Sequence, residues 1–560
     1  MFERRRFRRG CLLPIVVALV AAMICAFGSA STSATAEPEK ITLKVTNVEA
    51  GVKGTAYKYM DVNLEGGSTE PVEKFGLQVT DVVKRNFEHY IDSEGKPTEQ
   101  FKGMDADGRN AFSDKLLAVI TNQGITLPSE AVVASVVASG DGDGISFHLP
   151  MGGYVIKLTN GSSHLYDPIF AYIWPQDGTL TVRKDFDQSA LASIGAKSQE
   201  ITSKKTVGDD DNKTKTHSQI GDIVRFQVKT PIPKYPANAT NKYFGVQDHP
   251  DPGLSIRLES IKVQIEGEQT AFDKNSKDYS TDSVGADPGD AGGEGFRVEF
   301  DTEQYRSKLS EAAMLDKKLI VKYEGKLDEK ASIKGGNGTQ NHAHPLIVKD
   351  NYDPELDLNN KYTNPPDAPA FTTIYTYGVK LTKMDSQTEA ELPGTQFELH
   401  KNDSKVHVKQ KGEGMYIVQE AGPGGITTTI TSGKNGLVQI DGLNAGVTYT
   451  LKETKSLEDY DPAGPVTIEI KDGDPDEPDG IPDLNSSMIG GNPVTAALED
   501  NRLTYTLTNT KKRPPEEQFD FTLPKTGAMG TAVFSAFGVA LVAAGVALVI
   551  VRRRKDKQSS

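Results

Sequence analysis

The chain has two cysteines in 560 residues, Cys11 and Cys25, and both fall near its start. Past that point no thiol remains for a disulfide, a thiolate metal site or a cysteine nucleophile. No HExxH, GxSxG or phosphate-loop motif occurs, so metalloprotease, serine-hydrolase and P-loop nucleotide chemistry have no local signature. Basic charge is also short: 63 Lys and Arg stand against 77 Asp and Glu, a formal net charge of −14. Such a surface repels nucleic acid and anionic membranes. Long apolar runs are confined to the two ends.

The first run follows Arg4, Arg5, Arg6, Arg8 and Arg9, covers 11–27, and gives way to small residues. This is the pattern of a secretory signal peptide, with cleavage expected after Ala34-Thr35-Ala36 and, as a second choice, after Gly28-Ser29-Ala30. The second run spans 531–551 and ends in Arg552, Arg553, Arg554 and Lys555. Its length suits a single helical membrane crossing, and the basic cluster marks a cytoplasmic end. Just before it stand Leu523, Pro524, Lys525, Thr526 and Gly527. An LPxTG pentapeptide, an apolar span and a basic tail, in that order, resemble the sorting signal of Gram-positive surface proteins. That resemblance implies cleavage by a membrane sortase between Thr526 and Gly527. The threonyl carbonyl is then passed from a thioester to an amine on another molecule. Without leader and tail, the remaining chain carries 53 basic and 75 acidic groups, a formal charge of −22. A secreted protein without cysteine needs a staple other than a disulfide.

Between the ends, short β-rich runs are broken by Gly, Pro, Asn and Asp. Examples are 41–46, 223–228, 466–470 and 503–508. Alternation at this spacing predicts an all-β protein of tandem immunoglobulin-like sandwiches rather than α/β units. A helical patch is expected over 111–122, where apolar residues recur at helical spacing. About 490 residues are too many for one core. Composition shifts at 198–203 and 365–373 suggest domains at 37–198, 199–368 and 369–513, after a leader of 1–36 and before a tail of 514–560.

The last domain contains Tyr377-Gly-Val-Lys-Leu-Thr-Lys383-Met-Asp385, then Leu392-Pro-Gly-Thr-Gln-Phe-Glu-Leu399. Tyr449-Thr-Leu-Lys-Glu453-Thr and Tyr505-Thr-Leu-Thr-Asn509-Thr follow. This order resembles the collagen-adhesin B-type, prealbumin-like domain of Gram-positive pilins and adhesins. The Tyr-x-Leu-x-Glu-Thr stretch is similar to the pilin E-box. The resemblance implies a covalent bond from Lys383 to Asn509, with Glu453 as its acid. The middle domain has Lys204-Lys205-Thr-Val207, Gly221-Asp-Ile-Val-Arg-Phe226, Asp248 before Gly253-Leu254, and Asn341 near its end. This frame resembles the isopeptide-forming middle domain of backbone pilins and implies Lys205, Asp248 and Asn341. Lys204 would face the other side of a strand, and the spacing to Val207 favours Lys205.

The residue types fit the chemistry. An amine attacks a carboxamide only when neutral, and a free lysine is almost fully charged at pH 7. Burial favours the neutral form of both lysine and carboxyl. A buried acid can then polarise the amide carbonyl and shuttle protons as ammonia leaves. This is self-crosslinking in a single turnover, not an enzyme cycle. No cofactor is expected. Asp472, Asp474, Asp476 and Asp483 suggest a Ca²⁺ loop only weakly, because Glu477 stands where a glycine turn is needed. His342 and His344 lack a carboxylate pattern for a metal.

A backbone pilin also needs a lysine that receives the next subunit's threonine. The family places it in a YPK-type motif late in the first domain. The corresponding stretch here runs from Tyr166 to Pro175 and has Gln176 where lysine is expected. Lys184 is the first choice, ahead of Lys197 and Lys157; Lys234, in a Pro-Lys-Tyr-Pro sequence, falls inside the middle domain's frame. The sequence as a whole resembles a sortase-assembled backbone pilin. That resemblance implies as partners a polymerising and a housekeeping sortase, identical subunits, minor pilins, peptidoglycan and an unknown adhesion target. The alternative is a monomeric wall-anchored adhesin.

Overall fold

In the computed structural model the described residues run from 39 to 512. Exceptions are 65–70, 123–131, 139–143, 178, 186–189, 269–270, 275–278, 286–292, 301–308, 310, 314, 334–336, 364–368, 475 and 494–499. The leader, the Leu523–Gly527 pentapeptide and the C-terminal apolar run therefore lie outside the described residues.

The chain is built from β-sheets, as its alternation predicts. In the first block a six-stranded sheet is centred on Lys53–Leu64 and Gly152–Thr159. Gly152–Thr159 is buried at every position, because both faces of this sheet are covered. One face packs on a small sheet of Ile194–Gly195, Lys40–Thr46 and Ile145–Pro150. The other meets an aromatic core of Tyr59, Phe75, Phe101, Phe112, Phe170 and Tyr172. Three helices cover that core, at Leu77–Asn86, Glu99–Lys102 and Ala106–Asn122. Sequence periodicity led to only the last of these, over 111–122.

The middle block is a sandwich. One sheet orders Lys204–Val207, Ile223–Pro231, Lys318–Leu327, Leu254–Ile265 and Ala271–Phe272. The facing sheet orders Lys215–His217, Ala370–Tyr375, Thr339–Ile347, Phe244–Pro250, Gly295–Phe300 and Ser280–Val284. Inward residues such as Phe226, Val228, Val246, Phe296, Val321 and Ala343 fill the space between them, the usual consequence of period-2 patterning. Ala370–Tyr375 hydrogen-bonds within this middle sheet, although the expected start of the last domain precedes it.

After Thr376 the chain enters the third block through Tyr377–Asp385. That strand lies parallel and adjacent to the block's last strand, Arg502–Asn509, with Lys383 opposite Leu507 and Asp385 opposite Asn509. A second sheet, built around Gln396–Lys401 and Thr448–Lys455, closes the sandwich.

Both joints between blocks mix apolar and polar contacts. One apolar core runs without a break from the middle block into the third, and Tyr449 donates to Gln219 across the joint at 2.8 Å. The first block meets the middle one through apolar contacts, with Ala239 and Tyr352 joining its aromatic core and Leu165 joining the middle core, and through polar groups. Buried Asp114 accepts from Tyr352 Oη at 2.8 Å and from Asn238 N and Nδ2 at 3.0 and 2.9 Å. Lys157 pairs with Asp350 at 2.6 Å.

Candidate functional site

Two lysine-centred clusters lie inside the second and third sandwiches. In the third block, Lys383 Nζ donates to Asn509 Oδ1 on the neighbouring strand. Its ammonium also lies 3.0 Å from Glu453 Oε2, on the opposite sheet. Asn509 Nδ2 donates to Glu453 Oε1 at 2.6 Å and to Ser456 Oγ at 2.9 Å. The lysine and glutamate side chains are buried, at 0% and 1% exposure. The parallel register makes the meeting possible. Alternation turns Lys383 and Asp385 inward on one strand and Leu507 and Asn509 inward on the other. Glu453 then reaches across from the facing sheet to touch both partners.

In the middle block the geometry is different. Lys205 lies on an edge strand of one sheet, while Asp248 and Asn341 lie on adjacent strands of the other. A bond between Lys205 and Asn341 would therefore tie the two sheets across the core. Lys205 is buried and its neighbour Lys204 is exposed, the strand alternation that the sequence implied. Lys205 Nζ donates to Asp248 Oδ2. It sits 5.5 Å from the ring centres of both Phe226 and Tyr323. Phe226 is the aromatic of the Gly-Asp-Ile-Val-Arg-Phe frame, so the frame's last residue supplies one wall of the lysine's pocket.

Tyr323 is the member that sequence reasoning missed. Its hydroxyl donates to Asp248 Oδ2 and receives the Nδ2 proton of Asn341 at 3.1 Å. Alternation along Val321-Lys322-Tyr323 would have turned the ring inward, but nothing in the sequence attaches it to this cluster. Ser456 was missed too, being in the turn after the E-box strand.

Burial sets the electrostatics. Removing Lys205 from water pulls its pKa down to about 8, against the opposing pull of Asp248. Lys383 is likewise lowered, with burial the larger cause and Glu453 opposing it. Both amines are thus nearer neutrality than a surface lysine. Asp248 Oδ1 and Asn341 Oδ1 are buried without a hydrogen-bond partner among the described residues. A cluster kept only for stability would be better served by apolar residues of similar shape.

The remaining candidates are more scattered. Lys184 follows the strand Thr179–Arg183 and is half-buried. It lines a cleft of about 90 Å³ together with Arg109, Asn110, Phe170 and Lys197. Lys197 is exposed. Lys157 is 8% exposed and engaged by Asp350, and Lys234 pairs with Asp316 at 2.5 Å. Gln176, in the lysine's expected place, accepts from Arg183 at 2.8 Å. Asp472 pins its loop by accepting from Tyr377 at 2.5 Å and from Gly480 N at 3.0 Å. No group of three His, Cys, Asp or Glu able to hold a metal occurs among the described residues.

His344 carries a pH prediction. It is 4% exposed, neither ring nitrogen has a partner among the described residues, and it stacks on His249 at 5.6 Å. Burial, then the positive potential of His249, Lys205, His342 and Arg297, lowers its pKa from 6.5 to about 3. Above pH 6.5 the ring is neutral folded or unfolded, so it has no pH effect. As pH falls below that value only the unfolded chain gains the proton, and stability declines until about pH 3. The slope from this group is at most about 1.4 kcal/mol per pH unit. Urea unfolding at pH 7 and pH 4.5 should show it, and His344→Leu should remove that part of the slope. An unchanged slope in the variant would refute the assignment.

Residues 377–478 match the family described as SpaA, prealbumin-like fold domain, and residues 515–557 match the LPXTG cell wall anchor motif. The chain is 23% identical over 556 residues to the trypsin-resistant surface T6 protein of Streptococcus pyogenes serotype M6. That similarity covers 92% of this chain and 98% of the relative. Identity to the fimbrial subunit type 1 of Actinomyces viscosus is 26% over 352 residues, 60% of this chain and 62% of that protein. Among solved structures, the T6 backbone pilin of serotype M6 S. pyogenes superimposes with a TM-score of 0.51 at 19% identity. The alignment covers 85% of this chain and 99% of that one.

Proposed function

We propose that this chain is a cell-wall-anchored major pilin of a Gram-positive bacterium and that its two buried lysine clusters convert into isopeptide bonds. It is a structural subunit of a sortase-assembled pilus. The observation that carries the proposal is the enclosure of Lys383, Glu453 and Asn509 in one buried contact set. Glu453 there touches both the attacking amine and the departing amide.

The reaction runs as follows. The lysine ammonium gives one proton to the carboxylate, and the neutral amine adds to the asparagine Cγ. The carboxyl returns a proton to the amide nitrogen and takes the second lysine proton. The Cγ–Nδ2 bond breaks and ammonia leaves, so one C–N bond replaces another and no redox partner is needed. Lys205, Asp248 and Asn341 would undergo the same net exchange across the sheets of the middle block. Because force on a pilus runs along the chain, a bond from first strand to last in the third block would keep that sandwich from unravelling.

Assembly adds a second acyl transfer. A polymerising sortase cuts after Thr526 and delivers the threonyl carbonyl to a lysine of the next subunit. A housekeeping sortase finally delivers it to peptidoglycan, and minor pilins join the same shaft. Lys184 remains the proposed acceptor, with Lys197 in the same cleft as its rival. Blotting wall extracts boiled in SDS tests this reading. Thr526→Ala should abolish both the high-mass ladder and wall attachment. Lys184→Arg retains charge but removes the primary amine. It should eliminate the ladder while leaving wall-attached monomer. A persisting ladder moves the role to Lys197, whereas a single band from the unmutated protein means a monomeric wall-anchored adhesin.

A further inference from the structure

The acid of an isopeptide cluster has two tasks: to take a proton from the lysine and to give one to the leaving nitrogen. Glu453 is in contact with both groups, at 3.0 Å from Lys383 Nζ and 2.6 Å from Asn509 Nδ2. Asp248 is one methylene shorter. Its Oδ2 meets Lys205 Nζ and the Tyr323 hydroxyl, while Asn341 Nδ2 meets that hydroxyl at 3.1 Å. The phenol oxygen thus occupies the gap between acid and leaving group.

We propose that Tyr323 is a catalytic proton relay in the middle block, carrying the proton of Asp248 to the departing nitrogen of Asn341. The inference rests on the proposal that Lys205 and Asn341 become bonded. Before reaction the amide N–H donates to the phenol oxygen. Once the Lys205 amine has added to Cγ, the amide nitrogen becomes pyramidal and gains a lone pair, so this hydrogen bond reverses. The Tyr323 proton passes to the nitrogen as Tyr323 takes the proton that Asp248 received from Lys205. The Cγ–Nδ2 bond then breaks and ammonia departs. The second lysine proton goes to Asp248, which ends as the neutral acid, and Tyr323 ends as it began.

The surroundings hold the hydroxyl to this task. The Tyr323 ring stacks on Phe226 at 5.3 Å and meets Phe296 edge-on at 4.8 Å. Burial and the neighbouring Asp248 carboxylate hold the phenol's pKa well above its usual value. It therefore stays a neutral O–H, able to donate and accept together. Lys383 also lies over an aromatic ring, that of Phe397 at 5.8 Å, but a phenylalanine has no hydroxyl. The two clusters are thus Glu with Phe and Asp with Tyr, and each pair supplies one proton path.

Tyr323→Phe removes one oxygen and leaves the ring packing. In pulse-labelled full-length chain, the tryptic peptide joining Lys205 to Asn341 should then form at least about 10²-fold more slowly, the usual range for a lost proton-transfer group. The Lys383–Asn509 peptide should form at its normal rate in the same molecules. Hydrogen exchange of the strand Phe244–Pro250 should be as slow as in an Asn341→Ala chain, which is uncrosslinked but keeps Tyr323. In Asp248→Glu/Tyr323→Phe the longer acid should restore crosslinking. A Tyr323→Phe chain that crosslinks at the unmutated rate overturns the relay alone. An unmutated chain that never yields the Lys205–Asn341 peptide overturns the bond and the relay with it.

Discussion

The secreted protein should weigh about 34 Da less than its sequence mass, because two asparagines each lose ammonia to a lysine. Intact mass spectrometry reads this directly. Asp248→Asn and Glu453→Gln keep the shape of each cluster but remove the proton carrier, so each should regain about 17 Da, and the double variant the full sequence mass. Burial of Lys205 and Lys383 is unfavourable by itself. The chain tolerates it where Asp248 lies within hydrogen-bonding distance of Lys205, and Glu453 and the Asn509 amide within that of Lys383. Recovery of the full sequence mass from the unmutated protein would end the crosslinking proposal.

Loss of the Lys383–Asn509 bond should lower the melting temperature by about 10–20 °C, from about 5 kcal/mol of lost chain constraint. The bond would close a loop across 126 positions. A crosslink of that span acts chiefly on the unfolded chain, by limiting the conformations it can reach. Glu453→Gln is the cleaner test, since it blocks the bond while leaving the side chains in place. Lys383→Ala should fall further, because it also leaves Glu453 buried without its cation. Dithiothreitol should change none of these temperatures, as Cys11 and Cys25 both precede the expected cleavage site. Scanning calorimetry of the unmutated and Glu453→Gln proteins makes the comparison. Equal melting temperatures would show that the crosslink is absent or carries no stability.

Sequence alone determined the class of this protein because its signals are local. An apolar run beside a basic cluster, a pentapeptide before it, and alternation at period 2 each act through neighbouring residues, so each can be read without a fold. The choice of Lys205 over Lys204 was legible for the same reason: adjacent residues on a strand face opposite ways, and the spacing to Val207 picks Lys205. The helices at Leu77–Asn86 and Glu99–Lys102 were not legible. They are short, and packing against the Phe75, Phe101 and Phe112 cluster stabilises them more than their own propensity does.

Only the tertiary structure decided how each cluster is wired. Lys383 and Asn509 lie far apart in the chain, yet a parallel register sets them side by side. Lys205 and Asn341 lie on different sheets, and each meets a member of the Asp248–Tyr323 pair. Tyr323 enters the middle cluster because its strand lies two places from that of Lys205, a neighbourhood fixed by sheet order. The same holds for Lys157, an eligible acceptor by sequence, which the joint with the middle block buries against Asp350. Which groups meet depends on strand order and register, and these are set by the packing of the whole sandwich rather than by any one segment.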